Sequence, residues 1–91
     1  PPSCGTPINN LLTANGGGTA TFTWMPVGEG CTAFALYIYS PSGARLVETL
    51  NSNSLAVTGL NPNNWYTFTI IGWNGSRWVA WANYAPWVQV T

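Results

Sequence analysis

The sequence predicts an all-β fold, a small antiparallel β-sandwich of seven short strands in one domain spanning residues 1–91. Three observations carry this. Several short segments alternate between apolar and polar residues with a period of two, as half-buried strands do. Clusters of Gly, Pro, Asn and Ser interrupt the chain at intervals of roughly 8–12 residues, the spacing of a sandwich. No segment carries the 3.6-residue apolar period of a helix.

The elements follow in order. Residues 1–6 read as a lead-in, and residues 7–12 as a first edge strand, where Pro7 is tolerated. Asn15-Gly16-Gly17-Gly18 is a turn. In residues 19–24, Ala20, Phe22 and Trp24 share one face and Thr19, Thr21 and Thr23 the other, which predicts a half-buried strand. Residues 26–30 form a loop ending at Cys31. In residues 34–39, Phe34, Leu36 and Ile38 oppose Ala35, Tyr37 and Tyr39, so both faces are apolar or aromatic. Pro41-Ser42-Gly43 ends that strand; residues 45–50 form the next, and Asn51-Ser52-Asn53 the next turn. Leu55 and Val57 mark a strand leading to Gly59-Leu60.

The best-defined strand then follows the turn Asn61-Pro62-Asn63-Asn64. It sets Tyr66, Phe68, Ile70 and Gly72 on one face and Thr67, Thr69, Ile71 and Trp73 on the other. Residues 78–84 are rich in aromatics and less regular. Pro86 interrupts them, and residues 87–91 close the chain with Val88 and Val90 on one face.

Composition narrows function. The only charged side chains are Glu29, Arg45, Glu48 and Arg77, giving 4% charged residues and zero formal net charge, against about 25% in ordinary domains. Nucleic acid is excluded as a partner, because neutralising phosphates requires clustered Lys and Arg. Neutrality also removes the repulsion between monomers. No run approaches the roughly 18 apolar residues of a membrane helix, so membrane insertion is not expected. The chain begins at Pro1 without Met or leader, which reads as a processed product or an excerpt of a longer protein.

The paired count of Cys4 and Cys31, each beside a turn glycine, favours a disulfide over two buried thiols. A disulfide in turn implies an oxidising setting, extracellular or at the cell surface. With no His, no Asp and no third Cys, neither a metal site nor a cofactor is expected. Catalysis lacks its groups as well. Glu29 and Glu48 fall on different segments, no His exists to activate Ser or Thr, and both basic residues are Arg. Gly16-Gly17-Gly18 lacks the Lys-Ser/Thr of a phosphate loop. Asn74-Gly75-Ser76 is either a glycosylation sequon or simply a hairpin turn.

Over nearly its whole length the chain resembles a fibronectin type III domain. The residues that carry the resemblance are Thr21-Phe22-Thr23-Trp24, Leu36-Tyr37-Ile38-Tyr39, Asn74-Gly75, the closing run 86–91 and, most specifically, the spacing Leu60/Pro62/Tyr66. That spacing is similar to a tyrosine corner, whose hydroxyl bonds backbone a few residues upstream. The resemblance implies an immunoglobulin-like sandwich in which the strands carrying Tyr37, Trp73 and Trp87 are neighbours in one sheet. It also implies that the chain start and the loop after the second strand share an end, which suits the cysteine pair. The segment between Asn74 and Pro86 is longer than the family pattern, and the disulfide is an addition to it. No Arg-Gly-Asp occurs, so an integrin role does not carry over.

Six Trp and four Tyr exceed what one small core can hold. Trp24 and Tyr66 are core candidates, and Trp65 is expected to cap one end. Strand parity sends Ile71 and Trp73, Tyr37 and Tyr39, and Trp87 and Gln89 outward. The candidate binding row is Tyr37, Tyr39, Trp73, Trp78, Trp81 and Trp87. At about 150–250 Å² per ring, four or five together, even half covered, match or exceed the roughly 300–600 Å² of a monomer's largest apolar patch. The bland alternative is that Trp78 and Trp81 fold back over the sheet, or that cross-strand aromatic pairs simply stabilise it. The expected function is a non-catalytic extracellular structural or interaction module, associating with copies of itself or with adjacent domains. The alternative is a polysaccharide-binding or spacer module of a secreted polysaccharide-degrading enzyme, with Arg77 and Gln89 as its polar contacts.

Overall fold

The alternating runs pair into two antiparallel sheets. The computed structural model describes residues 3–91, the side chains of residues 48–50 and 80 lying outside that description; Pro1 and Pro2 of the expected lead-in are also outside it. In chain order the strands are β1 (Gly5–Gly16), β2 (Thr19–Val27), β3 (Ala33–Ser40), β4 (Gly43–Leu50), β5 (Ser54–Val57), β6 (Trp65–Trp73), β7 (Trp78–Trp81) and β8 (Val88–Gln89). One sheet has the order β1-β2-β5; the other runs β4-β3-β6-β7, with β8 also pairing with β6.

β2 runs on to Val27 rather than ending at Trp24, β4 begins at Gly43 rather than Arg45, and the two ends of the chain differ more. The first strand runs from Gly5 to Gly16 rather than over residues 7–12. Register shifts around Ile8 absorb Pro7 and Asn9 (φ 57°), so an irregular edge continues where a regular one would stop. The segments expected at 78–84 and 87–91, separated by Pro86, shorten to β7 and β8, and the strands number eight rather than seven. Trp73 lies opposite Trp78 and Trp65 opposite Gln89, so eleven steps of the last segment span eight of β6.

The inward faces meet in one core. Phe22 and Trp24 of β2, Leu36 and Ile38 of β3, Phe68 and Ile70 of β6, and Val90 are all buried. Phe22 packs edge-on to Phe68 at 5.0 Å and Trp24 edge-on to Phe34 at 5.7 Å. The Tyr66 hydroxyl accepts the Asn61 N–H at 2.9 Å, which fastens the 61–64 turn to β6 as the Leu60/Pro62/Tyr66 spacing implies. Cys4 and Cys31 form a disulfide with Cα atoms 4.6 Å apart. It lies against Gly72, where an added Cβ would stand 2.7 Å from Cys4 Sγ.

Candidate functional site

On β6 the outward positions are the odd ones: Trp65, Thr67, Thr69, Ile71 and Trp73. On β3 they are Ala35, Tyr37 and Tyr39, which lie opposite Ile71, Thr69 and Thr67. The central strand thus offers small threonines, and its neighbours offer large rings. The rings close over the threonines. Tyr37 meets Trp81 with centroids 5.2 Å apart, and Tyr39 meets Tyr84 at 5.3 Å. Trp73 meets Trp78 at 5.0 Å. Beneath them Thr67 is 2% exposed and Thr69 4%, although both face outward from the sandwich.

Bulging of the last segment makes this possible. A regular strand would turn alternate side chains to the same face. Here Trp78, Trp81, Tyr84 and Trp87 occur at every third position. Ala82 and Ala85, each one residue after a ring, join the buried core, and Val88 packs against it. The third residue of each triplet is the surplus that the register must absorb. Backbone bonds from Ala82 N to Ile70 O (2.9 Å) and Ala85 N to Phe68 O (3.0 Å) keep the segment beside β6. The buried threonine hydroxyls add two more links: Thr69 Oγ1 donates to Ala82 O at 2.6 Å, and Thr67 Oγ1 donates to Ala85 O.

The result is a ridged aromatic face. Trp78, Trp81, Tyr84 and Trp87 remain 41%, 52%, 63% and 50% exposed. Shallow grooves separate the ridges. One is lined by Ala35, Tyr37, Leu46, Ile71, Trp78 and Trp81. The next lies among Tyr39, Thr69, Trp81, Ala82 and Tyr84. A third lies among Tyr39, Ser40, Pro41, Thr67, Tyr84 and Trp87. The Tyr39 phenol is held above its usual pKa, by desolvation first and then by the neighbouring Tyr84 hydroxyl.

All six residues of the expected row therefore lie on one face, and each predicted outward strand position is outward. Exposure is a different matter. Ile71 is 7% exposed, because Trp78 and Trp81 flank the groove above it. The bland alternative is thus half realised: these indoles pack on Trp73 and Tyr37 yet keep about half their surface in water. Trp65, expected to cap one end, stands half exposed on the same outer face at the start of β6. Gln89 Nε2 donates to Asn63 O at 3.0 Å, so its amide serves the 61–64 turn and not the rings. Arg77 lies in the β6–β7 turn, where its N–H donates to Asn74 Oδ1. Tyr84 belongs to the row as fully as the six, and the three-residue period of 78, 81, 84 and 87 is the signal that finds it.

The remaining described surface holds no reactive constellation. Glu29 is exposed in a loop, and the Glu48 side chain lies outside the described residues. Among the described residues no group of three or more His, Cys, Asp or Glu could hold a metal. No described helix is long and apolar enough to cross a membrane.

The sequence matches the fibronectin type III domain family over residues 5–85. The chain belongs to that family. No match was found among curated protein sequences. Solved structures share the fold at low identity. An Fn3-like protein from Clostridium thermocellum superposes with a TM-score of 0.79 at 18% identity, covering 99% of this chain and 94% of that one. The FN5 domain of Drosophila Lar gives 0.77 at 13% identity, covering 97% of both chains. The twitchin kinase region from C. elegans gives 0.82 at 15% identity, covering 97% of this chain and 17% of that one. Fibronectin type III domains are generally non-catalytic structural or interaction modules and commonly mediate protein–protein contacts.

Proposed function

We propose that this fibronectin type III domain is an extracellular structural unit, of the fibre, adhesin or surface-layer kind, that associates with copies of itself or with adjacent domains through its aromatic face. One observation carries the reading: four rings at three-residue spacing, each 41–63% exposed, stand on the sheet face where Tyr37, Tyr39 and Trp73 already pair with three of them. Half-exposed rings of about 150–250 Å² each make a patch as large as the roughly 300–600 Å² of a typical monomer's largest. The molecule measures 44 × 21 × 19 Å, so its broad side approaches the ~800 Å² per partner of a stable interface. Aromatics without Lys or Glu are the composition of interface centres. The Cys4–Cys31 bridge supports an oxidising compartment. The sugar-platform alternative loses support, because the Gln89 amide is engaged elsewhere.

The test is Trp87→Ala, at a half-exposed ring outside the three ring pairs, with Trp73→Ala beside it. Sedimentation velocity should show wild-type assemblies and monomers for both variants, with the circular dichroism of the fold retained. Monomeric wild type across the accessible concentration range would reject the reading. Quenching of indole fluorescence by soluble oligosaccharides, lost in Trp87→Ala, would replace it with the carbohydrate one.

A further inference from the structure

We propose that Asn74 is an acceptor for N-linked glycosylation, and that the first sugar of the glycan rests on the Trp73–Trp78 pair. The acceptor lies outside the association face, but the glycan would take the Trp73–Trp78 end of that face and leave Tyr37, Tyr39, Trp81, Tyr84 and Trp87 for association. Of the ten asparagines in the chain, only Asn74 is followed by Ser or Thr two positions on, with Gly75 between them rather than Pro. That one sequon falls in the exposed β6–β7 hairpin, where Asn74, Gly75, Ser76 and Arg77 are all exposed.

The side chain is held by its own turn. Asn74 Oδ1 accepts the backbone N–H groups of Ser76 and Arg77, each at 2.9 Å. Asn74 N donates to Arg77 O at 3.1 Å. The amide carbonyl is therefore fixed against the turn, and Nδ2 makes no hydrogen bond among the described residues. The Ser76 hydroxyl is likewise uncommitted there. Asn74 is exposed, and the turn engages its amide only through Oδ1.

The co-substrate is an oligosaccharide carried on a polyprenyl diphosphate. Nδ2 forms a bond to the anomeric carbon while the bond from that carbon to the diphosphate oxygen breaks. The lipid diphosphate departs with the electron pair, and Nδ2 gives up one proton to the transferase. Trp73 precedes the acceptor and Trp78 follows the turn, with their rings 5.0 Å apart. Trp78 is 41% exposed, leaving ring surface for the apolar side of a pyranose. The Tyr39–Tyr84 ridge lies six β3 residues further along, roughly 20 Å, so a glycan at Asn74 leaves that part of the face open.

The experiment is secretion of the whole chain from a eukaryotic cell, followed by intact-mass measurement. The expected result is a chain heavier than its sequence by an oligosaccharide. An amidase specific for Asn-linked glycans should remove it and leave Asp at position 74. Asn74→Gln disturbs the turn along with the acceptor. The cleaner pair is therefore Ser76→Ala, which should abolish the added mass, and Ser76→Thr, which should keep it. Secreted wild type of unmodified mass, or added mass surviving in Ser76→Ala, overturns the site. Trp78→Ala should retain occupancy but lose the difference in Tm between the glycosylated and enzymatically stripped forms. An unchanged difference overturns the stacking.

Discussion

A methyl group at Gly72 would meet Cys4 Sγ at 2.7 Å and Cys31 Sγ at 3.1 Å. The disulfide and the inward face of β6 were fitted to each other at that one residue. Gly72→Ala should therefore destabilise the domain by about 1–3 kcal/mol, the cost of overpacking, read from urea denaturation. Replacing both cysteines by Ala should cost about 3–4 kcal/mol, because the bridge closes a 27-residue separation. In that background Gly72→Ala should cost much less, since the sulfurs it meets are gone; additive losses would show that the clash is not the cause. The even cysteine count made the bridge legible in the sequence. The role of Gly72 was not, because it depends on β6 lying beneath two residues from other parts of the chain. Tyr66 was legible from its spacing to Leu60 and Pro62. Tyr66→Phe removes the acceptor for Asn61 N–H and should cost about 1–3 kcal/mol.

At the scale of elements, the last segment decides the character of the molecule. Periods of two and 3.6 detect strands and helices, and residues 78–87 obey neither. They follow a triplet: ring outward, small residue inward, one residue surplus. That is why β3 and β6 could be placed from their alternation, while the segment after Asn74 could only be described as irregular and rich in Trp. The burial of Thr67 and Thr69 was hidden for a related reason. Alternation gives direction but not cover, and their cover comes from Tyr37 and Tyr39 on one side and the bulged segment on the other. Ile71 was misjudged as exposed in the same way. The threonine hydroxyls hold Ala82 and Ala85 by their carbonyls, so Thr69→Val keeps the shape and strands one acceptor. It should cost about 1–3 kcal/mol. Hydrogen exchange at the Ala82 and Ala85 amides should accelerate more than at the centre of β3. Uniform acceleration across the domain would mean that the hydroxyl links do not hold this segment in particular.

At the scale of the whole molecule, the aromatic face and the scarcity of charge act together. None of the described residues on that face is charged, and the chain carries two acidic and two basic side chains in all. Association through it would bury rings without bringing ion pairs together. Its free energy would come from apolar area, at roughly 25 cal/mol per Å² before the cost of immobilising two bodies. Salt screens charges within about 10 Å at 0.1 M and 3 Å at 1 M, but it does not weaken apolar burial; excluded salts such as sulfate strengthen it. The wild-type domain should therefore show the same association constant from about 0.1 to 1 M sodium chloride, and a larger one in ammonium sulfate. Trp81→Ser, which removes the ring stacked on Tyr37, should lower association at every salt concentration while the domain stays folded. An association constant that falls steeply with sodium chloride would place the contact on Glu29, Arg45 or Arg77 instead, all of which are exposed and none of which lines a groove of the ridged face. The rings would then be only the outer packing of the sheet.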